Sequence, residues 1–341
     1  MVTGGTGYVG SWVVKQLLEQ GHHVRLSVRN LQAADKYAHL QRIADNSAGT
    51  LHPFAADLRH EGAFDAAVQG ADAVIHMASP FRLKIADAQT DLIEPAVQGT
   101  RNVLQAATRS GSVKKVVLTS SVAAIYGDAR DMQDQGLEQF SEAHFNHTSN
   151  INHQPYSYSK TLAEKLAWEL HENQSQWQLA VINPGFVMGS LLSPRSHSES
   201  LTFMRNMLSG KLAAGAPDLR FALVDVRDVA DAHVAAMTES RARGRYIVVN
   251  KVMSVLQMAQ IIERLFPGKF HLPKKTAPKI LLYLTGWLFG LTTRYIKNNV
   301  GYALAFDNRR SIRELGLHYH PVENTFRDMV KSMQKQGLIK A

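Results

Sequence analysis

The sequence predicts an α/β protein: a doubly wound parallel sheet carrying a smaller, mostly α C-terminal lobe. Three observations predict it. Short β-rich runs alternate with longer helical patterns through the first half of the chain, which implies βαβ units and a parallel sheet. Runs such as AVIHMA and VVLTS are apolar throughout, as strands buried on both faces are. After about residue 187 the alternation loosens, Ser and Pro cluster in LLSPRSHSES, and shorter elements follow. This pattern divides the chain into a first domain over 1–186, rejoined by 221–250, and a second lobe over 187–220 and 251–341.

The chain opens MVTGGTGYVGSW, in which Thr3, Gly4, Gly7 and Gly10 form T-G-x-x-G-x-x-G. Glycines at this spacing allow positive φ and let backbone N–H groups approach a pyrophosphate. The helix expected from about Tyr8, with Val9, Val13 and Leu17 on one face, turns its N-terminal dipole toward that anion. The reading is a dinucleotide-binding, Rossmann-type turn. Only Met1 and Val2 precede it, where a central strand of about five or six residues is expected. The expectation is a first strand that is truncated, or one that begins before Met1.

The second strand, His23–Val28, ends at Arg29, nineteen residues after Gly10. A site for NAD places Asp or Glu near this point to hold the ribose 2′-hydroxyl. Here Ser27, Val28, Arg29 and Asn30 stand instead, and the first acid is Asp35. A guanidinium grips a 2′-phosphate with two hydrogen bonds, and Lys36 adds a second cation. NADPH/NADP+ is therefore expected over NADH. The competing reading is a solvated surface arginine. After the third strand, Leu51–Ala55, Asp57 is placed to reach an adenine amino group, although Asp-Leu-Arg-His-Glu also reads as a helix start.

The fourth strand is Ala73–Met77. The fifth, Val116–Thr119, runs into Ser120 and Ser121, and the C-terminal ends of such strands are where ligands bind in open α/β sheets. Ser121 can hold a substrate carbonyl oxygen there. A helical pattern over Tyr158–His171 follows, headed by Tyr156-Ser-Tyr-Ser-Lys160. At i and i+4 the phenol and the ammonium share one helix face. A phenol titrates near pH 10, and a neighbouring ammonium plus a positive nicotinamide ring lowers that value. Tyr158 is a rival phenol, but its i+4 partner is Leu162. The sixth strand is Leu179–Asn183.

These motifs together resemble the extended short-chain dehydrogenase/reductase superfamily, in its dihydroflavonol 4-reductase-like and cinnamoyl-CoA reductase-like branch, which includes bacterial and fungal aldehyde and ketone reductases. The likeness runs through TGGTGYVGSW, the VR-x-x-VR strand, DLRHEGAFDAAVQGADAVIHMASPF, EPAVQGTRNVLQAA and VKKVVLTSS. It continues in YSYSKTLAE, INPGFVMG, FALVDVRDVADAH and GRYIV. It implies carbonyl reduction by Ser121, Tyr156 and Lys160. Tyr156 would give a proton to the carbonyl oxygen, Lys160 would lower the Tyr156 pKa and bind the nicotinamide ribose, and Ser121 would orient the carbonyl. The resemblance further implies Thr3, Gly4, Gly7, Tyr8, Val9 and Gly10 at the pyrophosphate and Arg29 and Lys36 at the 2′-phosphate. Asp57 and Leu58 would meet the adenine, Ala78 and Ser79 the nicotinamide side, and Pro184 to Val187 its carboxamide. Phe81, Phe186, Val187, Met188, Leu191 and Phe203 are candidates for an apolar substrate pocket.

Composition narrows the alternatives. The 341 residues include no cysteine, which excludes a disulfide scaffold, a Cys-based zinc site, an iron–sulfur cluster and a thiol nucleophile. None of the close histidine sets (His22-His23, His144/His147, His318/His320) has a zincin frame, and no metal is expected. The net charge of +9 is uneven: residues 271–341 hold twelve Lys or Arg against four acids, leaving +1 for the rest. The near-neutral bulk argues against a broad nucleic-acid face. The longest apolar stretch, Ile280–Leu291, has twelve residues, too few for a bilayer span of about 20. Flanked by cations over 274–297, it reads either as a membrane-surface segment or as a helix covering the substrate pocket with its cations solvated. The match of FDNRRSIRELGLHYHP to the family's C-terminal region favours the second. Residues 1–15 lack a basic region followed by an apolar run, so a cytoplasmic protein acting on a small molecule, as monomer or homodimer, is expected. The rival functions are a 3β-hydroxysteroid dehydrogenase-like enzyme, a nucleotide-sugar epimerase and a non-catalytic NADP sensor.

Overall fold

The computed structural model describes residues 1–79, 86–196 and 198–339, and of residues 288 and 289 the backbone only. Among the described residues there are ten strands, most of them separated by helices. The strands are β1 (Val2–Thr3), β2 (His23–Val28), β3 (Thr50–Ala55), β4 (Ala73–His76), β5 (Lys115–Thr119), β6 (Gln178–Pro184), β7 (Phe186–Met188), β8 (Arg220–Asp225), β9 (Gly244–Val248) and β10 (Lys251–Ser254). The helices of the first half are α1 (Tyr8–Glu19), α2 (Ala38–Ala44), α3 (Asp65–Val68), α4 (Glu94–Ser110), α5 (Arg130–Asp134) and α6 (Pro155–Glu172). Then come α7 (Glu199–Leu208), α8 (Val226–Thr238), α9 (Val255–Leu265), α10 (Lys279–Thr285), α11 (Thr293–Asn299), α12 (Arg309–Leu315) and α13 (Val322–Lys335).

Seven strands form one parallel sheet in the order β3-β2-β1-β4-β5-β6-β9. The order reverses direction at β1/β4, and such a switch point opens the crevice in which doubly wound sheets bind nucleotides. The five strands expected from the first half are all present and differ by at most one residue at either end. Their interior runs are buried on both faces: Val116, Val117, Leu179, Ala180, Val181 and Ile182 are fully enclosed.

β1 has only two residues, yet it occupies the centre of the sheet. Val2 pairs with Leu26 on one side and Ile75 on the other. The Met1 ammonium donates to the Ala73 carbonyl at 2.7 Å, and Ile75 N–H donates to the Met1 carbonyl at 2.9 Å. Burial pushes that ammonium down to about pKa 5. A cavity of about 1110 Å³ opens beside it, lined by His23, Arg25, Ala73 and Lys115 among others. It lies at the N-terminal ends of the strands, opposite the catalytic end, and plays no part in the chemistry below.

A second, three-stranded sheet, β10-β8-β7, lies over the C-terminal lobe. Of the 221–250 segment, α8 packs on α1 and β9 completes the large sheet, whereas β8 joins the small one. The lobe's core is built by α7, α9, α10, α11 and α13, with Met204, Met258, Ile262, Phe326 and Met329 fully buried. No helix among the described residues is long and apolar enough to cross a membrane.

Candidate active site

The first turn is shaped by close backbone approach. Gly4 has φ +69°, and a Cβ on it would sit 2.7 Å from the Ala78 nitrogen. A Cβ on Gly10 would sit 2.2 Å from the Gly4 carbonyl oxygen. Only glycine at both positions lets α1 start directly on the end of β1. The helix has no side-chain cap and no acid in its first turn. Its free N–H groups and positive end suit a phosphate anion.

Several residues expected at the cofactor use their side chains within the fold. Thr3 Oγ1 accepts from the Met77 and Ala78 amides and pairs with His76 Nδ1, so it sets the end of β4. Tyr8 is buried, and its hydroxyl donates to the Gly189 carbonyl at 2.7 Å, tying the glycine turn to the second lobe. Tyr8 and Val9 therefore offer a ligand their backbone. Asp57 accepts from the Arg59 amide and guanidinium at 2.8–3.1 Å, and this holds its carboxyl near pKa 2. The segment after Asp57 is a turn, and α3 begins only at Asp65. The Leu58 carbonyl accepts from Asn102, and its side chain rests on Gly99. Arg29 and Lys36 are both exposed beyond the end of β2. Among the described residues neither pairs with a carboxylate, and Asp35 pairs with Arg195 instead. The cradle at Gly4 and these unpaired cations fit a dinucleotide with a 2′-phosphate.

The catalytic candidates come from the ends of β5 and α6. Ser121 is in extended conformation, and its Oγ accepts from the Ala123 amide at 3.1 Å. Its hydroxyl proton is left to donate elsewhere. Pro155 occupies the first turn of α6, where its missing N–H costs nothing, and Tyr156 follows it. Tyr156 is 41% exposed, so a reactant can approach it. One turn on, Lys160 is buried, with its ammonium 6.0 Å from the centre of the Tyr156 ring. Burial lowers the Lys160 pKa to about 8, and Glu164 opposes that shift. The protein around Tyr156, with the Glu199 carboxylate, holds its phenol above the ordinary value. The phenol is therefore in its proton-carrying form at neutral pH, beside a cation that can stabilise the phenolate once the proton leaves.

Two supporting networks did not emerge from the sequence. Glu164, a further turn along α6, accepts from Ser120 Oγ at 2.5 Å, Asn183 Nδ2 at 2.9 Å and Arg245 Nε at 2.5 Å. It is wholly enclosed and fixes the Lys160 face of the helix against β5, β6 and β9. The same i+4 spacing that relates Tyr156 to Lys160 relates Lys160 to Glu164, so this partner had a sequence signal. The second network centres on Asp128, which accepts from His153 (2.8 Å), Gln154 (2.7 Å), Asn298 (2.9 Å) and Asn299 (2.6 Å). It joins the start of α6 to α11, and no local pattern brings those residues together.

Of the residues expected at the substrate, Phe186 and Phe203 pack with Phe221, the ring centroids 4.8–5.6 Å apart in tilted and edge-on pairs. Met188 and Leu191 are buried in the lobe's core and support this cluster from behind. Val187 is half-buried, and Pro184 closes β6. Ala78 and Ser79 adjoin Lys160 in a narrow cleft with His76 and Thr100. Phe81 lies outside the described residues. Among the described residues no group of three His, Cys, Asp or Glu could hold a metal ion.

Residues 1–250 match the model of the NAD dependent epimerase/dehydratase family. A cinnamoyl-CoA reductase of Medicago truncatula is 34% identical, across 98% of this chain and 95% of that protein. A dihydroflavonol 4-reductase of Gerbera hybrida is 29% identical across 80% of this chain and 74% of its own. The crystal structure of yeast methylglyoxal/isovaleraldehyde reductase Gre2 complexed with NADPH is 26% identical, with a TM-score of 0.76 over 99% of both chains. The chain belongs to the NAD dependent epimerase/dehydratase family, in the dihydroflavonol reductase and cinnamoyl-CoA reductase-like branch of the extended short-chain dehydrogenase/reductases, and is an NAD(P)-dependent oxidoreductase.

Proposed function

We propose that the protein is an NADPH-dependent carbonyl reductase that converts a small or medium, mainly apolar aldehyde or ketone into its alcohol. The observation that carries this reading is the pairing of Tyr156 and Lys160 one turn apart on α6, with the Lys160 ammonium 6.0 Å from the centre of the Tyr156 ring. The glycine turn, Arg29 and Lys36 would hold NADPH, which would supply a hydride for the carbonyl carbon. The chain's residues supply the rest. Ser121 donates its hydroxyl proton in a hydrogen bond to the carbonyl oxygen and orients it. Tyr156 gives its phenolic proton to that oxygen, and Lys160 stabilises the phenolate that remains. Glu164 keeps Lys160 charged and in place. The aromatic cluster excludes water and accepts an apolar substituent.

The test follows NADPH oxidation at 340 nm with a panel of aldehydes, ketones, flavanonols, steroids and UDP-sugars. Turnover of one or more aldehydes or ketones is expected. Tyr156→Phe should lower kcat about 10²–10⁴-fold while NADPH affinity stays unchanged. Turnover confined to sugar nucleotides, or full activity in the Phe variant, would overturn the reading.

A further inference from the structure

Residues 271–306 contain Lys274, Lys275, Lys279, Arg294 and Lys297 and no acid at all. Within this stretch, α10 and the turn after it face outward. Ile280 is 73% exposed, Leu284 70% and Trp287 72%, with Leu281 and Tyr283 partly exposed beside them. Only Leu282 of α10 turns inward, and Gly286 lets the segment lie against Ile296 of α11. Most of the apolar side chains of α10 and the turn after it therefore face solvent. They form an open apolar patch, and contiguous patches of this kind mark interaction sites. Lys274, Lys275, Arg294 and Lys297, from the same acid-free stretch, are exposed as well, and among the described residues none of them is in an ion pair.

We propose that this patch docks the protein on an anionic lipid surface. Aliphatic side chains and a tryptophan enter the acyl–headgroup boundary, while the cations of the same stretch meet the headgroups. The charge chooses the partner. A second copy seated symmetrically on the same patch would set cation against cation, because a two-fold interface brings the same surface to both sides. An anionic bilayer satisfies both the apolar patch and the cations. The docking element is tied to the catalytic helix, since Asn298 and Asn299 at the end of α11 bind Asp128, which also holds His153 and Gln154 at the start of α6.

The experiment uses the full chain with NADPH bound. It sediments the protein with vesicles of phosphatidylcholine alone, or of phosphatidylcholine containing phosphatidylglycerol. Binding to the anionic vesicles only is expected, weakened at high salt. A blue shift of tryptophan emission should accompany it and be absent in Trp287→Phe. Ile280→Glu with Leu284→Glu should abolish binding. Lys274→Ser with Lys275→Ser should weaken it about 30-fold. Both double variants should keep wild-type reductase turnover in vesicle-free buffer. The proposal fails if anionic vesicles do not bind, if Ile280→Glu with Leu284→Glu binds as wild type does, or if the patch instead mediates a dimer that this variant splits.

Discussion

At the residue scale, cofactor preference turns on which charge follows β2. Arg29 stands where an acid would hold a ribose hydroxyl, and it is exposed with no carboxylate partner among the described residues. A free guanidinium donates two parallel hydrogen bonds to a phosphate, at about 1.5–3 kcal/mol for a charged contact. Arg29→Ala should therefore weaken NADPH binding about 10- to 100-fold and leave NADH nearly unchanged, as read by fluorescence titration of both cofactors. Equal losses would remove Arg29 from the 2′-phosphate. This residue was legible because its position is fixed by counting from the glycine turn. The same holds for Tyr156 and Lys160, where helix periodicity alone places two side chains on one face. Asp128 was not legible. Its four partners come from segments some 25 and 170 residues away in sequence, and only the folded chain collects them.

At the scale of elements, the alternation of strand and helix identified the large sheet because its strands are apolar on both faces and separated by helices. The small sheet escaped notice. β7 has three residues and β10 has four, too short for any period to show. The glycine turn that follows β1 and the first turn of α1 approach each other closely at Gly10. A methyl group at that position, 2.2 Å from the Gly4 carbonyl and 2.8 Å from Gly5 Cα, meets backbone that cannot yield without moving the turn. Gly10→Ala should push α1 off the end of β1 and cost about 1–3 kcal/mol of stability, as overpacking does. Because the same displacement moves the helix N–H groups that face a pyrophosphate, NADPH affinity should fall more than tenfold. Thermal melts and cofactor titration read the two effects separately. Unchanged NADPH binding in a destabilised variant would show that the turn tolerates the shift.

At the scale of the whole molecule, the large sheet buries two histidines in neutral form. His76 on β4 bonds Thr3, and burial together with the Lys160 charge lowers its pKa to about 3. His233 on α8 lies between Thr119 Oγ1 and the Val229 carbonyl, and burial lowers its pKa to about 4. Their ordinary value is 6.5. Above that value both the folded and unfolded chains hold these rings neutral, so neither histidine affects stability. As pH falls below 6.5 the unfolded chain takes up protons that the folded chain refuses, and stability declines until the folded values are reached. At pH 4.5 each ring has been denied about two pK units of protonation, so the pair removes roughly 5 kcal/mol. That is a large part of the total stability of a typical domain, about 5–15 kcal/mol. Urea unfolding should show a midpoint that falls steeply as pH drops below 6.5. His233→Gln keeps a hydrogen-bonding side chain that does not titrate, and it should lose about half of that fall while changing little at pH 7.5. If its midpoint tracks the wild type down to pH 4.5, the acid sensitivity belongs to the carboxylates instead.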